Sequence, residues 1–269
     1  SVFGFETDPQ AYAIAVARII LNGIEQPALT LGNALEWPMN DVGFDEKFDC
    51  ILMAPPFNNS VSDSVQSQYP VPAKNGNAIF LQHIMARLRP GGRAVVLAPE
   101  SFLVSSGPDS EVREKLLRNF TVEGVISLPE GTLSPYTRIR ANILYFKHTG
   151  PTKAVRLYDA PHLESSGLDD MDARSPQELS YHFKSGKDER IRDISLKALR
   201  KRKWILTTAD NGDEDMSTFI ETIRGLVGSP DIKSLEDVAD LAGGIGYNRK
   251  TAVDKKDPAQ VQLSLLRVS

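Results

Sequence analysis

The chain has 269 residues, 41% of them hydrophobic, with a formal net charge of -4; this builds a packed core with room for a second small unit and excludes a generally basic nucleic-acid coat, while leaving local basic patches open. No apolar run approaches the roughly 20 residues of a membrane span, and the N-terminus lacks the basic and apolar regions of a signal peptide, so a cytoplasmic address is expected. Cys50 is the only cysteine, which excludes an internal disulfide and a cysteine metal site; within the apolar run Phe48 to Met53 it reads as a small buried hydrophobe.

In chain order, short apolar runs alternate with amphipathic stretches, the pattern of an α/β domain with a largely parallel sheet. Val2 to Phe5 reads as the end of a strand, and Asp8 and Pro9 as the cap and first turn of a helix reaching about Leu21. Ala28 to Leu31 and Phe48 to Met53 are the second and third strands. A proline-interrupted loop leads to a helix from about Asn77 to Leu88, ended by Pro90, Gly91 and Gly92. Arg93 to Ala98 is the fourth strand, Glu111 to Asn119 a helix, Val122 to Leu128 the fifth strand, Ala141 to Lys147 the sixth, and Ala154 to Tyr158 an extension of the sheet. From Ala160 to about Arg192 the sequence turns polar and acidic, as in a surface connection. Ser195 to Trp204 is basic, Asp210 to Asp215 acidic, and Ser217 to Val227 has the apolar spacing of a short helix. After Gly228, Ser229 and Pro230 a new unit starts that is too short to close a core alone, as expected for part of a longer polypeptide.

The candidate chemistry lies where the third strand delivers Ala54-Pro55-Pro56-Phe57 to its carboxyl end, the edge at which open α/β sheets bind ligands. The proline pair holds the backbone in one extended shape and aims its carbonyls in advance, and Phe57 offers a flat face for stacking an unpaired base. The segment Phe48-Asp49-Cys50-Ile51-Leu52-Met53-Ala54-Pro55-Pro56-Phe57 resembles the fourth motif of the N6-adenine DNA methylase family, where Asn-Pro-Pro-Phe is the rule. Phe80-Leu81-Gln82-His83, Leu88-Arg89-Pro90-Gly91-Gly92-Arg93-Ala94, Leu128-Pro129-Glu130-Gly131, Pro135-Tyr136-Thr137 and Asn142-Ile143-Leu144 are similar, in order and spacing, to modification subunits of type I restriction systems.

That resemblance implies a Rossmann-like class I fold of the S-adenosylmethionine-dependent methyltransferases, N-terminally incomplete because the family's glycine-rich first motif would precede Ser1. It implies methyl transfer from S-adenosylmethionine to the exocyclic nitrogen of an adenine flipped out of double-stranded DNA, with no metal. Two acceptors holding that nitrogen's hydrogens pull it towards a nucleophilic geometry. By position one is the Pro55 carbonyl; the stacking face falls to Phe57, and the family asparagine's place to Ala54, which accepts nothing. Glu6 matches the carboxylate that holds the cofactor's ribose hydroxyls, and Asn33 the polar residue facing its adenine. Arg138 and Arg140 are candidates for the DNA backbone. His83 reads as a structural or surface histidine, and Lys197, Arg200, Lys201, Arg202 and Lys203 as a solvated helix face.

Ser234-Leu235-Glu236-Asp237-Val238-Ala239-Asp240-Leu241-Ala242-Gly243-Gly244 resembles the opening of a target-recognition domain from a specificity subunit. The expected organisation is a catalytic domain over 1–158, a connector with short helices over 159–232 and the start of a target-recognition domain over 233–269, acting with specificity and restriction subunits or domains. Two other readings stay open: a non-catalytic subunit that binds DNA and S-adenosylmethionine, which Ala54 favours, and an amino-methyltransferase for protein glutamine or RNA.

Overall fold

The computed structural model describes residues 2–37, 39, 42–57, 59–161 and 175–207. The reading of 217–227 as a helix, of 210–215 as an acidic run and of 233–269 as a target-recognition domain all lie outside the described residues.

The chain begins with a βαβ unit. Strands β1 (Phe3–Glu6) and β2 (Ala28–Leu31) pair in parallel around helix α1 (Pro9–Leu21). The helix starts where expected, because the Asp8 carboxylate accepts from the amides of Gln10 and Ala11 at 2.8 Å each and Pro9 sets the first helical φ. Beyond β2, two 3-10 turns (Ala34–Glu36 and Phe44–Glu46) lead to β3 (Phe48–Met53). Helices α2 (Asp63–Gln66) and α3 (Gly76–Arg87) then precede β4 (Leu88–Pro99). Next come α4 (Glu100–Val104), α5 (Pro108–Asn119), β5 (Thr121–Ser127), β6 (Ala141–Lys147) and β7 (Ala154–Asp159). The described part closes with α6 (Pro176–Ser185), β8 (Ile191–Ser195) and α7 (Leu196–Lys201).

Strands β3 to β8 form one six-stranded sheet in the order β3-β4-β6-β5-β7-β8. β3, β4, β5 and β7 share a direction, and β6 and β8 run against it. One face carries the main core, where α3, buried along almost its whole length, packs on β4 and α5, and where Leu144, Phe146, Val155 and Leu157 of β6 and β7 are also buried. A helix that is apolar on most sides belongs in such a place. The other face carries a smaller cluster of Tyr158, Ala160 and Leu179 with Ile126, Phe183 and Ile191.

The structure departs from the sequence expectations at three places. Pro90, Gly91 and Gly92 do not separate a helix from a strand but form a bulge inside β4, whose register on β3 jumps between Phe48–Leu88 and Cys50–Arg93. Gly91 has φ +80°, and a Cβ on Gly92 would lie 2.9 Å from the Arg89 carbonyl and 3.1 Å from that of Asp49. Cys50 is exposed, as is Leu52 at 82%, because β3 is the outermost strand of its sheet and not a covered central one. The domain boundary at 158 also falls: α6, β8 and α7 continue the same structure, with β8 antiparallel to β7 and Arg156 and Asp193 paired across them at 2.9 Å.

α6 reaches the sheet because Gly124 leaves it room. A Cβ there would stand 2.3 Å from the Arg156 carbonyl and 2.6 Å from the Phe183 ring. Gly124→Ala is therefore expected to destabilise the protein by about 1–3 kcal/mol through overpacking, read as a lower midpoint in denaturant unfolding. An unchanged midpoint would mean that α6 does not rest on β5 in this way.

Candidate active site

The sheet directions gather three chain segments at one edge. β3 and β4 end there, β5 ends there, and β6 starts there, with Pro99 opposite Ala141 and Ser127 opposite Asn142. Ala54 to Phe57 leave β3 at this edge. Pro55 is buried, Phe57 half-buried, and Ala54 and Pro56 are exposed, so the turn is anchored through one proline while its neighbours face outward.

The chain after the turn is fixed to α3. Gly76 donates to the Asn59 carbonyl at 2.8 Å and Val61 to that of Lys74 at 3.1 Å. Gln82, inside the helix and buried, takes the Val71 amide on its Oε1 and gives its Nε2 to the Val71 carbonyl, both at 2.9 Å. This two-point clamp restrains the loop without any regular pairing. The quoted sequence similarity includes Gln82, but nothing in spacing or composition marks it as the clamp.

Glu6 and Asn33 occupy the carboxyl ends of β1 and β2, which lie side by side with Glu6 opposite Leu31. Glu6 is half-buried and accepts from the Asp8 amide at 2.9 Å through Oε1. Asn33 caps the following 3-10 turn, its Oδ1 accepting from the Leu35 amide at 3.0 Å. That cap uses the oxygen, and no described residue accepts from the side-chain amide. Ring contacts tie this βαβ unit to β3: Phe3 lies 5.2 Å from Phe48 and 5.2 Å from Trp37, and Phe5 lies 5.5 Å from Trp37.

Behind these segments sits a buried polar relay. Tyr69 and the Nδ1 of His83 are 2.9 Å apart, Arg87 Nε donates to His83 Nε2 at 3.1 Å, and the Arg87 guanidinium stacks 3.4 Å above the Trp37 ring. Trp37 donates to Glu46 at 2.9 Å, and Glu46 accepts the Gly43 amide at 2.9 Å. Because Arg87 donates to Nε2, His83 is neutral with its proton on Nδ1. Burial first, and the adjacent Arg87 charge second, hold its pKa down at about 4. His83 is thus a structural histidine that links α3 to the segment following Asn33.

An unfolded histidine titrates at 6.5, so between about 4 and 6.5 the unfolded chain binds the extra proton and stability falls as pH falls through that window, by roughly 3 kcal/mol in all. Comparing melting temperatures at pH 7 and pH 4.5 for the protein and for His83→Gln should show a smaller acid loss in the variant. Parallel pH curves would sink this assignment.

The two predicted DNA-contacting arginines part company. Arg138 is exposed. Arg140 lies between carboxylates, pairing with Asp159 and, at 3.7 Å, with Glu100, while its Nε donates to the Leu128 carbonyl at 3.3 Å. It fastens the base of the loop over 128–140. The basic residues of α7 are mostly exposed, and this short helix buries Leu199. Among the described residues no three His, Cys, Asp or Glu side chains group as metal ligands, and no helix is long and apolar enough to cross a membrane.

Comparison with known proteins gives a consistent result. Residues 1–207 match the family model described as N-6 DNA Methylase. The methylase subunit of the type I restriction enzyme EcoEI of Escherichia coli is 30% identical over 164 residues, covering 60% of this chain and 33% of that subunit. The StySJI methylase subunit of Salmonella typhimurium is 26% identical over 174 residues, covering 62% of this chain and 31% of that subunit. A modification subunit ascribed to a type I restriction enzyme of Vibrio vulnificus YJ016 superposes with a TM-score of 0.68 at 25% identity, over 82% of this chain and 49% of that one. The chain thus spans about a third of the length of these curated relatives.

Proposed function

Because the chain belongs to the N-6 DNA methylase family, we propose that it is the cofactor- and base-binding part of an enzyme that moves a methyl group from S-adenosylmethionine to the N6 of an adenine in double-stranded DNA. Its fold is the Rossmann-like α/β fold of the class I S-adenosylmethionine-dependent methyltransferases.

The observation that carries the proposal is the placement of Ala54-Pro55-Pro56-Phe57 at the carboxyl end of β3, with Glu6 and Asn33 at the ends of β1 and β2. Glu6 would accept the two ribose hydroxyls of the cofactor, and Asn33 would donate to its adenine. S-adenosylmethionine, when bound, supplies an electrophilic methyl on a sulfonium. The Pro55 carbonyl, rigidly aimed, takes one hydrogen of the target amine, and Phe57 covers one face of the flipped base. The position of the second acceptor is Ala54, so this chain holds the base with one acceptor fewer than the family pattern. Arg138 faces the DNA backbone and Arg140 positions its loop. By likeness to the methylase subunits of type I enzymes, the partners are specificity and restriction subunits or domains, and the setting is the cytoplasm.

The test is chemical. The full-length polypeptide carrying Ala54→Asn is incubated with methyl-labelled S-adenosylmethionine and mixed-sequence duplex DNA, and the DNA is digested to nucleosides. Label in N6-methyldeoxyadenosine supports the proposal; label in protein glutamine or RNA, or in nothing, sinks it.

A further inference from the structure

The loop between β5 and β6 bears an almost fully exposed aromatic side chain. Tyr136 is 94% exposed, and its hydroxyl bonds to none of the described residues. Single exposed aromatics are common on protein surfaces; what sets Tyr136 apart is its place in the fold.

The loop leaves β5 at Ser127 and enters β6 at Ala141, on the edge where Ala54 to Phe57 leave β3. β6 lies two strand spacings from β3, about 10 Å. Ala141 pairs with Pro99, three residues further along β4 than the Val96 that pairs with Met53. The loop therefore rises beside the Ala54–Phe57 turn at the level where that turn leaves the sheet.

Nor is the loop loose. Ser134 donates to the Gly131 carbonyl at 2.9 Å, Tyr136 to that of Leu133 at 3.0 Å, Thr137 to the same carbonyl at 3.2 Å, and the Ile139 amide to Thr137 Oγ1 at 3.1 Å. Arg140 locks its base to Asp159 and Glu100. Such backbone bonding fixes where Tyr136 stands, so little ordering entropy remains to be lost when the ring meets a ligand. Arg138 is exposed two residues on, and Ile139 is 37% exposed.

We propose that Tyr136 enters the base stack of the bound duplex and fills the space the target base leaves, with Arg138 on the adjacent phosphate. The inference rests on the reading of this chain as a DNA adenine methyltransferase. Apolar or aromatic wedges offset the unstacking of the duplex with their own stacking, and a rigid aromatic beside a base-flipping turn has the shape and reach for that task.

The experiment uses the full-length protein with its partner subunits and a random-sequence duplex pool containing 5-iododeoxyuridine. After irradiation, cross-linked peptides are identified by mass spectrometry, and duplex affinity is compared for Tyr136→Ala and Tyr136→Phe. The expected result is a cross-link at Tyr136, a loss of about tenfold in affinity for the alanine variant and near-full retention for phenylalanine, all with unchanged melting temperatures, since the side chain is 94% exposed. Duplex binding with cross-links only elsewhere, and Tyr136→Ala binding as tightly as the parent, overturns this proposal and leaves the methyltransferase reading standing. Absence of duplex binding in every form overturns both.

Discussion

In labelled-methyl transfer to duplex DNA, the chain carrying Ala54 is expected to run about a hundred- to a thousandfold slower than its Ala54→Asn counterpart. Ala54 stands at the open edge of the sheet and is exposed, so an asparagine side chain fits there without displacing a neighbour. Its amide oxygen would supply the acceptor that a methyl group cannot, and a preorganised acceptor of this kind is worth about 2.7–4 kcal/mol in the transition state. The contact strengthens as the amine pyramidalises, so the gain belongs to kcat and leaves the affinity for S-adenosylmethionine unchanged. Equal rates in the two forms would show that residue 54 does not hold the target amine. Cofactor binding with no turnover in either form would favour a subunit that binds without methylating.

Much of this site was legible in the sequence because its elements are written in local patterns. Apolar runs mark β3 and β6, and Asp8-Pro9 marks the start of α1 as the structure has it. Other parts depend on tertiary contacts that local patterns do not carry. Pro-Gly-Gly ordinarily ends an element, yet at Pro90 to Gly92 the strand continues through a bulge that only its partners β3 and β6 define. The stretch after Ala160 reads as a connector on composition, although Ser175-Pro176-Gln177-Glu178 is a capping box with proline at the first turn and Gly186 closes the helix with φ +69°. β8 has only Ile191 and Ile194 as apolar members, too few to register as alternation. Cys50 reads as buried because an apolar run does not reveal which strand lies at an edge. The two arginines of the β5–β6 loop look alike in sequence; only tertiary contact places Glu100 and Asp159 beside Arg140 and leaves Arg138 out.

Arg113→Met is expected to cost about 3–5 kcal/mol of folding stability, although it lies far along the chain from Ala54. Arg113 is fully buried, and its guanidinium serves three carbonyls: Trp204 at 2.8 Å, Ser105 at 2.6 Å, and Phe102. Methionine fills much of the volume but leaves those oxygens without their donor and the nearly buried Asp109 carboxylate without its neighbouring positive charge. Lys203 and Trp204 also sit at φ 51° and 63°, a left-handed pair that persists only while something holds it. The effect should travel. Past Trp204, Leu206 donates to the Leu103 carbonyl at 3.1 Å and Thr207 to Glu100 at 3.3 Å, and Glu100 is one of the two carboxylates that hold Arg140 under the loop bearing Tyr136. In a Trp37→Phe background, Trp204 is the only indole left, so its emission reports this segment directly. Arg113→Met should lower the denaturant midpoint and shift that emission to the red, with Arg113→Lys in between because it keeps the charge but offers no fork of donors. A variant with parental stability and an unshifted Trp204 would mean that Arg113 fills space there and does not tie the end of the domain to the edge where the proposed chemistry takes place.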